Sequence, residues 1–170
     1  MATTKTTAAR IDWEPFKEAV PEVLTGMAAI NHAYKKSGME RDLFELIKVR
    51  ASQINGCAYC LQYHLNEARK LHIAPEKLDL VATWREAGIF SQRESAALEW
   101  TERVTLLAQH HIDDEAYSRV SAQFSEHELA ILTTAISQIN FWNRLAAPFR
   151  FTPPIPSAVK EIISEPARAS

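Results

Sequence analysis

The sequence predicts an all-α fold, a helical bundle of about seven helices, on three observations. Strand-like alternation is nearly absent. Only four glycines occur, and prolines such as Pro21 and Pro75 stand where a helix can begin. Apolar residues recur at intervals of three and four through most long segments. A chain of 170 residues, 46% hydrophobic with four tryptophans and seven phenylalanines, can bury a sizeable core. Residues 1–170 therefore read as a single domain, with flexible tails at 1–10 and 165–170 where apolar periodicity is missing. No repeat and no low-complexity linker divides it.

In chain order, Pro21 fits the first turn of a helix carrying Val23, Leu24, Met27, Ile30 and Tyr34 on one stripe, closed by Ser37 and Gly38. A second helix runs from about Glu40 to Ile54 and stops at Asn55-Gly56, two residues that tolerate the left-handed conformation of a closing turn. A third opens at the segment NGCAYCLQYH. Pro75 starts a fourth, through Leu80 and Trp84 to Gly88. Ser91 with Glu94, and Ser125 with Glu128, have capping-box spacing and open long amphipathic helices, with Asp113 capping a shorter one between. The stripe Leu129, Leu132, Ile136, Ile139 and Trp142 reads as core packing and not as a ligand surface.

The formal charge of −2 offers no basic field for nucleic acid and no polybasic patch for a membrane surface. The N-terminal stretch has no apolar core region and no run of 18 apolar residues occurs, so the expected setting is cytoplasmic. In that reducing compartment the two cysteines of this chain are better suited to redox chemistry or metal binding than to a structural disulfide.

On a helical wheel Cys57, Cys60 and His64 fall within about 60° of one another, on one inward face. Residues three or four apart bring their Cβ atoms to about 5–6 Å, so Cys60 neighbours both Cys57 and His64. The first turn of a helix favours negative charge, and both thiols are expected to be acidified there. A histidine beside them can take or return a proton near neutral pH. A disulfide between them would need Cβ atoms nearer than regular helix spacing gives, which suits cycling better than stapling. Glu45 has two readings. Its wheel position with Lys48 and Ser52 favours a solvated pair with Arg41, four residues away. An antiparallel reversal at Asn55-Gly56 would instead bring it level with His64. For the constellation as a whole a thiol-dependent redox enzyme is the favoured reading, beside a Cys-Cys-His metal site and a set of inert core residues.

The stretch ELIKVRASQINGCAYCLQYHLNEARKLHI closely resembles the core of the AhpD-like alkylhydroperoxidases, within the carboxymuconolactone decarboxylase family. WREAGIFSQRESAALEWTERVT and INFWNRLAAPFR are similar to the helices that follow, so the likeness spans roughly residues 20–150. The resemblance implies a peroxidase in which Cys60 attacks the peroxide and becomes a sulfenic acid. Cys57 then resolves it as a disulfide, and His64 and Glu45 form the proton relay. It implies no metal and no organic cofactor. The implied partners are a hydroperoxide substrate and an external dithiol or reducing protein, in a homo-oligomer, commonly a trimer or hexamer. Tyr59 departs from the pattern: well-known peroxidase members carry histidine there, and a phenol with a pKa near 10 cannot replace an imidazole as a proton carrier at neutral pH. On the wheel Tyr59 points outward, toward a possible neighbouring subunit. The family's lactone-decarboxylating branch is the alternative activity, against which the cysteine pair argues. A non-enzymatic redox-sensing oligomer is the other. Asn143 and Arg144, in FWNR, read as a helix terminus packed against a neighbour.

Overall fold

Capping chemistry sets most of the boundaries in this computed structural model, which describes residues 8–164. Among the described residues there are ten α-helices, one 3-10 turn and no strand. They are α1 (Trp13–Ala19), α2 (Pro21–Lys36), α3 (Arg41–Ile54), α4 (Ala58–Lys70), α5 (Pro75–Leu80), α6 (Trp84–Ala87), α7 (Gln92–Thr105), α8 (Asp114–Ser121), α9 (Glu126–Phe149) and α10 (Ser157–Ser164). Both expected capping boxes form: Ser91 and Ser125 each accept from the backbone N–H of the glutamate three residues on and receive its carboxylate in return. Asp113 caps α8 through the N–H of Ala116.

The helices outnumber the seven expected because α1 and α10 are additional and because residues 75–88 divide. The chain tightens into a 3-10 turn at Val81–Thr83, where Val81 is fully buried, before α6 ends at Gly88 with φ 66°. The expected tails fall almost wholly outside the described residues. At the edge of the first, Arg10 is held by its backbone N–H to the Phe149 carbonyl at 2.8 Å. Asp12 then ties the two ends of the fold together. It caps α1 and accepts from both the backbone and the hydroxyl of Thr152.

Helix α3 is the central element, packed against α4, α7 and α9. Leu43, Phe44, Leu46, Ile47, Val49 and Ala51 are all buried on it. Its sides feed three apolar clusters. One lies with α2, α7 and α9 around Phe44 and Ile136, and a second with α4, α5 and α7 around Leu46 and Leu98. The third gathers Phe16, Cys57, Cys60, Ile139 and Phe151 at the end where α3 turns into α4. The candidate site lies in that third cluster.

Candidate active site

The turn between α3 and α4 is built by backbone hydrogen bonding. Gly56, at φ 64°, donates to the Gln53 carbonyl at 3.2 Å, and Cys57 donates to the Ser52 carbonyl at 3.0 Å. This pair of bonds is the Schellman closure of a helix, and it needs a residue comfortable in the left-handed region at the position of Gly56. Asn55 keeps ordinary right-handed geometry. Cys57 thereby ends one helix and caps the next, its Sγ accepting from the Cys60 backbone N–H at 3.4 Å.

Both cysteines are free thiols and nearly inaccessible, Cys57 at 1% and Cys60 at 4% exposure. They differ in what they face. Cys60 lines a cavity of about 270 Å³, together with His64, Tyr59 and Tyr63 from α4, Leu24 and Met27 from α2, and Trp142 from α9. Cys57 lies behind it. The thiols do not titrate alike, contrary to the expectation that both are acidified. Cys57 is brought down to about 7, chiefly by the hydrogen bond from the Cys60 thiol, against the effect of burial and with help from backbone N–H groups and the Asn143 side chain. Cys60, donor in that bond, is pushed up, and burial and the Cys57 charge act in the same direction. One proton shared between two sulfurs produces this split.

Glu45 is buried at 8% exposure and does not make the solvated pair with Arg41. Its Oε2 lies 2.7 Å from His64 Nδ1 and its Oε1 3.0 Å from Lys48 Nζ. The antiparallel reversal brings carboxylate and imidazole level, and α3 is covered on the side that periodicity alone reads as solvated. An ionised carboxylate can only accept, so His64 carries its proton on Nδ1 and leaves Nε2 with a lone pair. Burial holds the His64 pKa below its usual value, outweighing the pull of Glu45, so the ring is neutral at pH 7. Burial pushes Glu45 the other way, but the His64 hydrogen bond and the Lys48 charge prevail and keep its carboxyl below the ordinary range. Among the described residues no three His, Cys, Asp or Glu side chains are grouped to hold a metal ion.

The chain is similar to two sets of known proteins. The sequence pattern of the carboxymuconolactone decarboxylase family matches residues 21–103, which carry Glu45, Cys57, Cys60 and His64. The uncharacterized protein YdfG of Bacillus subtilis is 37% identical over 131 residues, 77% of this chain and 89% of that protein. The chain belongs to the carboxymuconolactone decarboxylase family. A solved structure from Agrobacterium tumefaciens, described as a putative antioxidant defence protein AhpD, superposes with a TM-score of 0.81 at 36% identity, covering 88% of this chain and 100% of that one. An AhpD-core, peroxidase-related protein from Ralstonia eutropha JMP134 shares the fold at a TM-score of 0.70 and 22% identity, over 81% of this chain and 74% of that one. Within this AhpD-like fold, no helix among the described residues is long and apolar enough to cross a membrane.

The structure corrects the placement of Tyr59. Its ring stacks on Trp13 at 6.2 Å and meets Phe151 edge-on at 5.4 Å, so it forms part of the cavity wall and does not face outward. The wheel missed this because α1 and the segment after α9 fold over the outer side of α4. Trp142, expected in the core, lines the same cavity with Ile139. Asn143, expected as a helix-end packing residue, is buried at 2% exposure, where its Oδ1 accepts from Asn55 Nδ2 at 2.9 Å and its Nδ2 donates to Ser52 Oγ at 3.2 Å. A signal for it was present: Asn143 continues the stripe Leu132, Ile136, Ile139 at helical spacing, a polar side chain where the pattern calls for an apolar one.

Proposed function

We propose that this protein is a thiol-dependent peroxidase that reduces organic hydroperoxides through Cys60 and Cys57. The supporting observation is the asymmetry of the pair. Cys60 faces a cavity that also receives a neutral, carboxylate-anchored histidine, while a second thiol sits behind it within hydrogen-bond reach.

In this reading His64 Nε2 takes the proton of Cys60, and the Glu45 carboxylate stabilises the imidazolium that forms. The Cys60 thiolate attacks the outer oxygen of ROOH. The O–O bond breaks, an S–O bond forms, and the alkoxide leaves as ROH after taking a proton from His64. Cys57 thiolate then attacks the Cys60 sulfenic sulfur, forming the disulfide and releasing hydroxide, which leaves as water after taking from solvent the proton that Cys57 gave up on ionising. An external dithiol or reducing protein returns two electrons and two protons to the pair. The net reaction oxidises one dithiol and reduces one hydroperoxide to an alcohol and water.

Trp13, Leu24, Met27, Ile139, Trp142 and Phe151 make most of the cavity wall apolar, which supports a hydroperoxide with a bulky apolar group over hydrogen peroxide. The reading also takes the family's oligomeric habit, a trimer or hexamer, for this chain; light scattering on the purified protein checks it. The deciding experiment is steady-state consumption of cumene hydroperoxide with dithiothreitol, alongside mass spectrometry after one equivalent of peroxide. The expected result is sustained turnover, loss of two hydrogens in the wild type, and a trapped sulfenate in Cys57→Ser. Full turnover by Cys60→Ser refutes the assignment. A single oxidation without turnover points to a redox switch.

A further inference from the structure

The cavity in front of Cys60 changes character from one side of the thiol to the other. On one side Tyr59 stacks on Trp13 at 6.2 Å, and both rings meet Phe151 edge-on. On the other, one turn along α4, His64 is joined to Glu45 and through it to Lys48, which lines the cavity as well. Helix α9 repeats this order. Ala146, whose carbonyl accepts from the Phe151 N–H, Trp142 and Gln138 follow one another back along the helix at one-turn intervals, so Gln138 lies about 12 Å from the Phe151 end. Gln138 is buried, and its Nε2 donates to the Met27 carbonyl at 3.3 Å and approaches Met27 Sδ at 3.7 Å. A flipped amide would set oxygen against oxygen, so Oε1 is the free end. Among the described residues Oε1 accepts no hydrogen bond, yet it is not sealed in the core as the unpartnered Tyr34 hydroxyl is, and it opens on the cavity that Gln138 lines. Asn31, one turn beyond Met27 on α2, is exposed at the same wall and makes no side-chain hydrogen bond to a described residue.

We propose that this cavity selects hydroperoxides that are apolar on one side of the carbon bearing –OOH and carry a neutral hydroxyl or carboxamide on the other, with Gln138 as the specificity-determining residue that accepts from that group. Trp13, Trp142 and Phe151 take the apolar part, and the –OOH lies between, against Cys60 and His64. Lys48 keeps two N–H donors beyond the one given to Glu45, and Asn31 can donate or accept, so the polar group finds donors as well as an acceptor. Charge decides against a carboxylate. Glu45 and Lys48 cancel and His64 is neutral, so no net positive charge attracts an anion. A carboxylate also has no proton to give Gln138 Oε1 and would set two acceptors face to face. A hydroperoxide that is apolar throughout displaces water from Oε1 and leaves it without a partner, which costs affinity.

This inference rests on the reading that Cys60 reduces a hydroperoxide here, but its test uses the product alcohols, which do not react, so the two fail separately. The probes are cumyl alcohol and its two derivatives in which one methyl group carries a carboxamide or a carboxylate. Their dissociation constants are measured by NMR titration of the reduced wild type and of Gln138→Met at pH 7. In the wild type the carboxamide is expected to bind roughly tenfold tighter than cumyl alcohol, and the carboxylate more weakly than the carboxamide. In Gln138→Met the advantage of the carboxamide should shrink to about twofold. Equal affinity for the carboxamide and cumyl alcohol overturns the proposal, as does a carboxylate that binds as tightly as the carboxamide, or no measurable binding of any of the three. An advantage kept in full by a folded Gln138→Met variant overturns the role of Gln138. The comparisons among the three alcohols need the wild type alone, so they decide the substrate class however the variant folds.

Discussion

Two carboxylates, Glu45 buried and Glu102 half-buried, are both held below the ordinary carboxyl range, yet by different partners. Glu102 on α7 accepts from Arg50 at 2.8 Å, from the Trp84 indole at 3.0 Å and from Arg85 at 2.6 Å. Burial pushes its carboxyl up, but these donors outweigh it. Glu45 on α3 accepts from Lys48 and from His64. The difference lies in what the partners can do. Arginine and indole keep their protons throughout the physiological range, so the Glu102 cluster has one charge state and can only hold the fold together. An imidazole can gain a proton and lose it again, so the Glu45 cluster has two. Only the second faces a cavity with a thiol in it.

The largest expected effect is on the side with two states. His64→Ala removes the base and leaves Glu45 to Lys48 alone, and peroxide turnover should fall by about 10²–10⁴-fold. Its thermal midpoint should fall only modestly, since Lys48 still pairs with Glu45 and Trp13, Tyr59 and Trp142 keep most of the cavity wall. Steady-state assays beside thermal melts check this. A loss of activity that tracks a loss of folding would erase the contrast between the two carboxylates.

Next comes the scaffold carboxylate. Glu102→Ala leaves Arg50 partly buried without its counter-charge and the Trp84 indole without its acceptor, at a cost of about 2–4 kcal/mol in denaturant unfolding. Turnover of the folded fraction should not change. The sign in acid follows from the lowered carboxyl: its contribution is present above the ordinary carboxylate pKa near 4 and lost as pH falls through the lower native value. The variant's stability should therefore depend less steeply on pH in that acid range, and an equally steep dependence would remove Glu102 from the account.

Glu45→Gln should have a smaller effect. The amide oxygen can still accept from His64 Nδ1, so ring orientation survives while the charge that stabilises the imidazolium is gone. We expect turnover to fall by about tenfold, roughly 1.4 kcal/mol, with stability close to that of the wild type. A loss as large as that of His64→Ala would mean that the carboxylate does more than orient and stabilise.

The same contrast explains what was legible in the sequence. Helix type and the two capping boxes at Ser91 and Ser125 were readable because they are local, set by residues within one turn. Cys60 and His64, one turn apart on α4, line the same cavity as their spacing suggests, whereas Cys57 caps the helix with extended backbone and lies behind them. Glu45 was half-legible: the polar side of α3 was correct, but which helix covers that side depends on the reversal at Gly56. Trp13 was not legible, and Asn143 only as a polar residue on an otherwise apolar stripe. Their roles arise when α9 and α1 close on α4 from more than 40 residues away, and no spacing rule reaches that far. The resemblance, which spans roughly residues 20–150, gave roles to Glu45, Cys57, Cys60 and His64, none to Asn143, and did not reach Trp13.

Tyr59→Phe carries the smallest expected effect and tests what replaced the family's histidine. Burial, then Tyr63 and Cys60, push the Tyr59 phenol up to about 12, so about one molecule in 10⁵ is ionised at pH 7. Such a hydroxyl cannot shuttle protons on the timescale of turnover. Its ring, stacked on Trp13 and Tyr63 and edge-on to Phe151, shapes the cavity instead. Removing only the oxygen should leave kcat/KM for cumene hydroperoxide within about twofold of the wild type, whereas Tyr59→Ala, which opens the wall, should raise KM for that substrate more than for hydrogen peroxide. A tenfold loss in Tyr59→Phe would place the phenol in the proton path, making Glu45 and His64 only part of the relay.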